Sequence, residues 1–119
     1  MAAKTTYALL IYRAGPDPTP AEDRRALAAH RALQSHAAAR GELHAVARLG
    51  DVSVAKTVRL RRGAHATADG PYIETKEWLV GFYLIDCANE EEALERARTI
   101  CPIAGHAIEV RPVDWRWKP

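Results

Sequence analysis

The sequence predicts an α+β domain with four main strands, two helices and an inserted β-hairpin. Segments with strand-like alternation are separated by two segments with helical periodicity. Each helix opens with a capping motif. The chain has 119 residues, of which 48% are hydrophobic and 27% charged, values typical of one globular domain. We therefore expect a single domain over residues 1–119.

The first strand and the first helix have clear boundary signals. Residues 5–13 are rich in aromatic and aliphatic side chains, and Gly15-Pro16 ends this predicted strand. Thr19-Pro20-Ala21-Glu22 supplies a capping residue, a proline at the first helical position and a glutamate three residues after the cap. Because Gly41 is a typical helix stop, we predict a helix over residues 20–40.

The middle of the chain predicts three further strands and a hairpin. Residues 43–49 and 52–60 each alternate apolar and polar side chains, which predicts two half-buried strands. Gly63 is expected to turn the second of these into a hairpin with residues 64–68. Residues 78–85 form a continuous apolar run, which is typical of a central strand.

The end of the chain repeats the helix and strand pattern. Asn89 and Glu92 form a second capping box, and Pro102 ends the helix that follows. Residues 106–113 predict the last strand. The order of elements is that of a ferredoxin-like split βαβ sandwich, with both helices on one face of an antiparallel sheet.

This arrangement leaves the other face of the sheet without helical cover. Alternating apolar side chains on that face would form a broad patch in water, which monomeric soluble proteins avoid. We therefore predict a homodimer in which two such faces pack together, giving a dimeric α+β barrel.

Composition and charge limit the possible partners. The chain carries 17 basic and 15 acidic residues, and its net charge of +2 is too small for a dominant nucleic-acid footprint. The apolar run at residues 7–12 is too short to span a membrane. We expect a cytoplasmic protein without nucleic-acid or membrane partners. The sequence has no phosphate-binding glycine loop and no histidine spacing typical of metal sites, so we predict no cofactor and no metal.

The string of residues 69–83 is more specific than the alternation of apolar and polar residues in a strand requires. Asp69-Gly70-Pro71-Tyr72 is followed by Thr75-Lys76-Glu77 and by Gly81-Phe82-Tyr83. This string resembles the signature of the DGPF, or YCII-related, domain family. The resemblance extends to the opening strand, to His30 and to residues 109–113. It implies a ferredoxin-like fold, sheet-to-sheet pairing of subunits, and a pocket lined by a helix histidine and an acidic residue, which correspond to His30 and Asp69.

His30 is the residue that we expect to carry any chemistry. On a helix it falls midway between Leu27 and Leu33, flanked by Ala26 and Ala37, and must therefore face the sheet. A desolvated imidazole beside a carboxylate is suited to general acid or base catalysis, and we expect Asp69 to be that carboxylate. Two structural interpretations stay open: His30 as a core histidine bonded to a backbone carbonyl, and Asp69 as an ordinary turn residue.

Four further residues are candidates for substrate binding. Lys76 could attract an anionic substrate to the mouth of the pocket, next to Thr75 and Glu77. Arg13 and Arg111 belong to strands that this fold places side by side. Tyr72 stands where the family signature usually has phenylalanine, which makes the pocket wall bulkier. Solvation and simple salt bridging are the alternative roles of these charges.

Two functions are compatible with the sequence. The first is cofactor-independent proton transfer, as in an isomerase or lyase, on a small organic molecule bound near His30. Relatives with a proposed activity resemble lactone isomerases and dehydrochlorinases. The second is a non-catalytic ligand-sensing or regulatory module, since other family members resemble companions of sigma factors.

Overall fold

The computed structural model describes residues 3–72 and 76–119. The order of its elements is the predicted one. The elements are β1 (Thr5–Ala14), α1 (Pro20–Ala39), β2 (Leu43–Arg48), β3 (Lys56–Arg61), β4 (Ala64–Asp69), β5 (Glu77–Cys87), α2 (Glu90–Thr99) and β6 (His106–Pro112).

The segment Val52–Val54, which we predicted as the start of a strand, is instead a turn of 3-10 helix. The side chain of Asp51 accepts a hydrogen bond of 2.9 Å from the backbone N–H of Ser53. A local side-chain bond of this kind competes with strand pairing, so apolar alternation alone did not decide the conformation here.

Four strands form one antiparallel sheet in the order β2-β5-β1-β6. The strands that flank each helix in sequence are separated in space by another strand, which is the split βαβ arrangement. The fold is therefore α+β and consistent with the predicted ferredoxin-like architecture.

The first helix starts with the predicted capping box. Thr19 Oγ1 accepts from the backbone N–H of Glu22 at 3.2 Å, and Glu22 Oε1 accepts from the backbone N–H of Thr19 at 2.9 Å. At the second helix, Asn89 Oδ1 accepts from the backbone N–H of Glu92 at 2.8 Å, but Glu92 Oε1 accepts from the backbone N–H of Ala88, so the predicted second box forms only in part. These bonds satisfy donors that a helix start leaves unpaired.

No helix in residues 3–72 and 76–119 has the length and apolar character needed to span a membrane.

The core lies between the helices and one face of the sheet. Alternate residues of β1 and β5 point into it, because side chains two apart on a strand share a face. The buried members are Tyr7, Leu9 and Ile11 from β1, Tyr83, Ile85 and Cys87 from β5, Leu33 and Ala37 from α1, and Ala93 and Ile100 near α2.

The buried stripe of α1 differs in one residue from the prediction. Ala26, Leu33 and Ala37 are buried, but Leu27 is 46% exposed. The stripe therefore follows positions 26, 30, 33 and 37, which lie on one side of a helix. His30 belongs to this stripe and is half-buried, so its predicted orientation toward the sheet is confirmed.

The opposite face of the sheet carries apolar side chains that neither helix covers. Leu10 on β1 lies opposite Phe82 on β5, and Tyr12 lies opposite Leu79. Leu10, Tyr12 and Phe82 alternate with core-facing residues and therefore point away from the helices. Leu79 shares their face because a register shift between Ile11 and Tyr12 sets it opposite Tyr12. We call this surface the open face.

The hairpin of β3 and β4 is a separate two-stranded sheet. Arg62 and Gly63 both have positive φ, 52° and 79°, as a tight two-residue hairpin turn requires. The predicted hairpin is confirmed, but the predicted half-burial of its first strand is wrong. Val58 is 64% and Leu60 66% exposed, because this strand does not pair with the main sheet.

A buried carboxylate joins several elements. Glu42, which is fully buried, accepts hydrogen bonds from Lys4 Nζ at 2.6 Å, Arg40 Nε at 3.0 Å and Arg96 Nη2 at 2.6 Å. Burial by itself raises the pKa of Glu42, but the hydrogen bonds from the three cations outweigh it and hold the pKa at about 2. The carboxylate is therefore charged across the physiological range.

We expect Glu42→Gln to lower the free energy of unfolding at pH 7 by about 3 kcal/mol, the equivalent of a pKa held about 2.5 units below its ordinary value. This contribution is complete above the unfolded-state pKa near 4.5 and is lost as the pH falls toward the folded-state pKa near 2. Urea unfolding of both proteins should therefore give a difference that narrows below pH 4.5. Glu91→Gln, which removes an exposed carboxylate, is the control and should change stability by less than about 0.5 kcal/mol. Equal effects of the two variants would contradict the assignment.

Candidate functional site

His30 contacts a buried tyrosine on the central strand β5. Its Nδ1 lies 2.7 Å from the hydroxyl oxygen of Tyr83, and the two rings are stacked with centroids 5.7 Å apart. Tyr83 is fully buried. A tyrosine in the core needs a partner for its hydroxyl, and α1 supplies it through the half-buried imidazole.

Gln34 completes this contact and favours one tautomer of the imidazole. Its Nε2 donates to the Tyr83 hydroxyl oxygen at 3.2 Å. The tyrosine oxygen accepts this bond, and His30 Nδ1 is the acceptor at hand for the hydroxyl proton, although a phenol oxygen can also accept a second bond. In the favoured arrangement the neutral ring carries its proton on Nε2, the nitrogen that points away from Tyr83.

Burial lowers the pKa of His30 below its ordinary value of 6.5, and the nearby His106 lowers it further. The imidazole is therefore neutral at pH 7. Nδ1 of His30 is occupied by Tyr83, and among the described residues no hydrogen bond reaches its Nε2. Burial also raises the pKa of Tyr83, which keeps its hydroxyl protonated.

A row of three side chains crosses the sheet beside His30. Arg13 on β1 lies opposite Trp78 on β5 and opposite His106 on β6. Arg13 is on the helix-facing side, because it is two residues beyond the buried Ile11 and directly opposed residues share a face. Burial lowers the pKa of His106, and the positive charge of Arg13 lowers it further. We call Trp78, Arg13 and His106 the cross-strand row.

One end of the cross-strand row meets an open cavity at the base of the hairpin. The cavity has a volume of about 620 Å³ and is lined by Asp69, Lys76 and Trp78 together with Val52, Ser53, Gly70 and Pro71. Asp69 and Lys76, an anion and a cation, thus share this cavity, which His30 does not line. Trp78 belongs both to the cavity wall and to the row that leads toward His30.

The expected pairing of His30 with Asp69 does not occur within the chain. Asp69 ends β4, its side chain is 88% exposed, and its carboxylate is 2.5 Å from Lys56 Nζ. Asp69 lies on the hairpin, which is not part of the main sheet that carries Tyr83. Tyr83, and not Asp69, therefore orients the imidazole.

Two predicted substrate-binding residues also lie elsewhere. Arg111 is opposite Ala8 on β1 and points to the open face, so it is on the other side of the sheet from His30. Arg111 and Arg13 are five register positions apart, about 17 Å along the strands. The ring of Tyr72 is covered by the Arg59 guanidinium, 4.7 Å from the ring centroid. Thr75 lies outside the described residues.

Arg13 keeps a position close to the site. Its guanidinium forms an ion pair with Asp17, four residues further along the chain, so salt bridging, the alternative role of this charge, does occur. The loop that follows β1 turns Asp17 back toward the strand end.

Three residues close to His30 were not predicted from the sequence as members of the site: Tyr83, Gln34 and His106. Gln34 stands four residues after His30 and is therefore on the same side of the helix. Tyr83 falls two residues before Ile85 in a central strand, a pattern that predicts a buried hydroxyl in need of a partner. No sequence signal brings His106 close to His30. Within residues 3–72 and 76–119, no three His, Cys, Asp or Glu side chains are grouped to hold a metal ion.

Known sequences resemble this chain over most of its length. The sequence model of the YCII-related domain matches residues 5–118. The chain belongs to the YCII-related family. An uncharacterised protein of Rhizobium meliloti (strain 1021) is 44% identical over 95 residues, which cover 77% of this chain and 76% of that protein.

Membership in the YCII-related family gives the site a broader context. The signature residues Asp69, Gly70 and Pro71 lie at the base of the hairpin and line the cavity together with Lys76 and Trp78. The family match spans both this cavity and His30. The cavity and His30 therefore both lie in the matched region, and the cross-strand row lies between them.

The tautomer of His30 gives a prediction for NMR. We expect His30 to titrate below pH 6.5 because burial disfavours its charged form. The 15N shifts of the neutral ring should report a proton on Nε2. Tyr83→Phe removes the donor to Nδ1 and should mix the two tautomers. A His30 ring that titrates at or above pH 6.5, with 15N shifts that do not change in Tyr83→Phe, would contradict the arrangement.

Proposed function

We propose that this YCII-related protein is a homodimeric pocket protein that transfers a proton on a small organic molecule, as an isomerase or lyase that uses no cofactor. The observation that carries the proposal is the contact between His30 Nδ1 and the Tyr83 hydroxyl at 2.7 Å. A half-buried, neutral imidazole with one nitrogen fixed and the other available is the arrangement that acid-base catalysis requires.

The chemistry takes place at the outer nitrogen of His30. In the tautomer whose Nδ1–H donates to the Tyr83 oxygen, Nε2 takes a proton from a substrate carbon and the ring becomes an imidazolium. The imidazolium then returns the proton to another carbon in an isomerisation, or to the leaving group in an elimination. Tyr83 sustains this exchange because its hydroxyl can donate to Nδ1 or accept from it. Gln34 holds the hydroxyl in place in both cases.

The charges beside the site favour a substrate with an acidic group. Arg13 stands in the cross-strand row, and Lys76 lines the cavity next to it. A carboxylate bound by these cations would place the rest of a small molecule between the cavity and His30. Asp69 serves as the second ionisable group of the cavity. The orienting role is assigned to Tyr83, and Arg111 and Tyr72 have no part in the site of a single chain.

The open face supports the dimer in this proposal. Leu10, Tyr12, Leu79 and Phe82 lie on one side of the sheet and are not covered by α1 or α2. A second copy of the same face is the natural cover for such a surface, since a twofold axis brings identical apolar patches together. The predicted α+β barrel would form in this way.

A non-catalytic ligand-sensing module is the second candidate function. The same Tyr83 contact favours it, because a histidine that is bonded to a buried hydroxyl satisfies both groups without any substrate. In that case the cavity at the hairpin would bind a small molecule and pass the change to a regulatory partner. The cytoplasmic location predicted from the sequence fits both functions.

Deuterium exchange tests the catalytic function. The protein is incubated in D2O with a panel of small keto acids and unsaturated lactones, and loss of substrate C–H signals is followed by NMR. We expect His30→Gln to slow the exchange of an accepted compound by a factor of about 10² or more, the usual contribution of an acid-base residue. His36→Gln, on the exposed side of the same helix, is the matched control and should exchange at the wild-type rate.

The outcomes separate the two functions. Exchange at an unchanged rate in His30→Gln would remove this residue from the mechanism. A compound that raises the melting temperature of the wild type without any exchange would support ligand sensing. Circular dichroism of both variants shows whether the fold is intact.

The dimer has its own test. Leu79→Glu places a charge on the open face at an exposed position, and we expect the dimer dissociation constant to rise at least tenfold in sedimentation experiments. Leu27→Glu, also at an exposed leucine but on α1, should leave the constant unchanged. A monomeric wild type, or equal effects of the two substitutions, would refute sheet-to-sheet pairing.

A further inference from the structure

The segment that follows β6 carries two exposed tryptophans. Trp115 is 77% exposed and Trp117 is 71% exposed, although tryptophan side chains are highly buried on average. Both belong to residues 113–119, which we call the tail. Basic residues alternate with them, since Arg116 follows the first tryptophan and Lys118 the second. Exposed aromatic and basic side chains in one short segment indicate a binding surface.

The tail has a fixed position at one end of the main sheet. The backbone N–H of Val113 donates to Thr6 O at 2.8 Å, which extends the pairing of β6 with β1. Further along, Arg116 Nη2 lies 3.4 Å from His44 Nε2 on β2. Because β6 and β2 are the two edge strands of this sheet, the tail runs from one edge toward the other, across the end at which β1 begins.

A polar network beneath the tail holds Arg116. Thr6 Oγ1 donates to Asp86 Oδ1 at 2.6 Å, and His44 Nε2 lies 2.9 Å from Asp86 Oδ2. Burial raises the pKa of Asp86, but these hydrogen bonds and the charge of Arg116 outweigh this effect, and the pKa lies below its ordinary value. The charged carboxylate attracts the guanidinium. Arg116 is thereby held against the sheet, and its two neighbours in sequence stay exposed.

The two indoles and the start of β1 border an open cavity. Its volume is about 680 Å³, within the usual range of small-molecule sites. The walls combine aromatic, cationic and hydroxyl groups, and they are formed by Lys4, Thr5 and Thr6 together with residues 113–118. The groups that could recognise a ring and those that could recognise a charge therefore border the same space.

The cations of this cavity favour an acidic ligand. Lys4, Arg116 and Lys118 line it, whereas Asp114 is the acidic residue among the described residues of its wall. The ammonium of Lys4 has three donors and uses one of them on Glu42. Within the described part of the chain, Lys118 forms no hydrogen bond and no ion pair. Donors thus remain for an acidic group in the cavity.

We propose that this cavity binds a small planar aromatic molecule that carries a carboxylate or a phosphate. Indole rings stack on planar rings, and lysine and arginine form charge-assisted hydrogen bonds with acidic groups. Trp115 and Trp117 hold the ring of the ligand, and Lys118 with Lys4 holds its acidic group. The network at Asp86 positions the tail for this role without contacting the ligand.

This cavity is separate from the site at His30 and from the apolar part of the open face. Thr6 alternates with the buried Tyr7 along β1 and therefore lies on the side of the sheet opposite His30. Leu10 is four residues further along β1, about 13 Å away. The proposal is therefore independent of the homodimer and of proton transfer at His30.

An NMR titration of the full chain tests the proposal. The probes are 2-naphthoate, a planar ring with a carboxylate, and adenosine monophosphate, a planar base with a phosphate. The control compounds are 2-naphthylmethanol, which lacks the charge, and cyclohexanecarboxylate, which lacks the planar ring. We expect a probe to shift the indole N–H signals of Trp115 and Trp117 and to bind about tenfold or more tightly than either control compound. The Trp78 signal reports the other cavity.

Substitutions of exposed side chains identify the groups that bind. Trp115→Ala/Trp117→Ala should weaken probe binding about tenfold or more, because it removes both stacking rings. Tyr72→Ala removes another exposed ring and should change binding less than about twofold. Lys118→Gln should weaken binding about threefold, whereas Arg61→Gln, an exposed cation on the hairpin, should leave it unchanged.

Several results would overturn the proposal. One is equal binding by the wild type and Trp115→Ala/Trp117→Ala, and another is the absence of any indole shift with both probes. Indole shifts that depend on protein concentration and not on the probes would assign the tail to a contact between copies. A thymidine oligonucleotide that binds far more tightly than adenosine monophosphate, with a steep loss of affinity in salt, would assign it to single-stranded nucleic acid.

Discussion

The position of Glu42 is the constraint on which the rest of the structure depends. Its backbone N–H donates to Ala37 O at 2.9 Å, and its backbone oxygen accepts from Asp86 N–H at 2.8 Å. The end of α1 is thereby fixed to β5. His30 lies about two helical turns before Ala37, and Tyr83 lies three residues before Asp86. Because both elements are fixed at Glu42, the imidazole is held over the tyrosine hydroxyl. The hydrogen bonds from Lys4, Arg40 and Arg96 to the carboxylate stabilise this contact between α1 and β5.

The candidate site combines two groups with different electrostatics. Burial favours the neutral forms of His30 and Tyr83, so the hydrogen bond between them joins two uncharged groups. Asp69 and Lys76 lie in an open cavity, where charged groups are solvated and can attract a charged substrate. Arg13 and Trp78 connect the two groups across the sheet. A binding cavity beside a desolvated acid-base pair is a common arrangement in active sites.

The unpaired surfaces of the molecule follow from the same architecture. Both helices pack on one face of the sheet, so the apolar side chains of the open face have no cover within the chain. The hairpin leaves from the connection between β2 and β5 and pairs only with itself, so Val58 and Leu60 are exposed as well.

The sequence by itself determined the order of elements, the helix caps, the tight hairpin turn and the orientation of His30, because these depend on residues close together along the chain. It also pointed to the family through the string at residues 69–83. Only the tertiary structure decided which groups meet. Tyr83 and His106 are 53 and 76 positions from His30 and approach it through strand pairing and helix packing. Asp69 instead lies at the end of the hairpin, where it pairs with Lys56. Local periodicity predicts the face on which a side chain lies, but its partner there depends on contacts between distant segments.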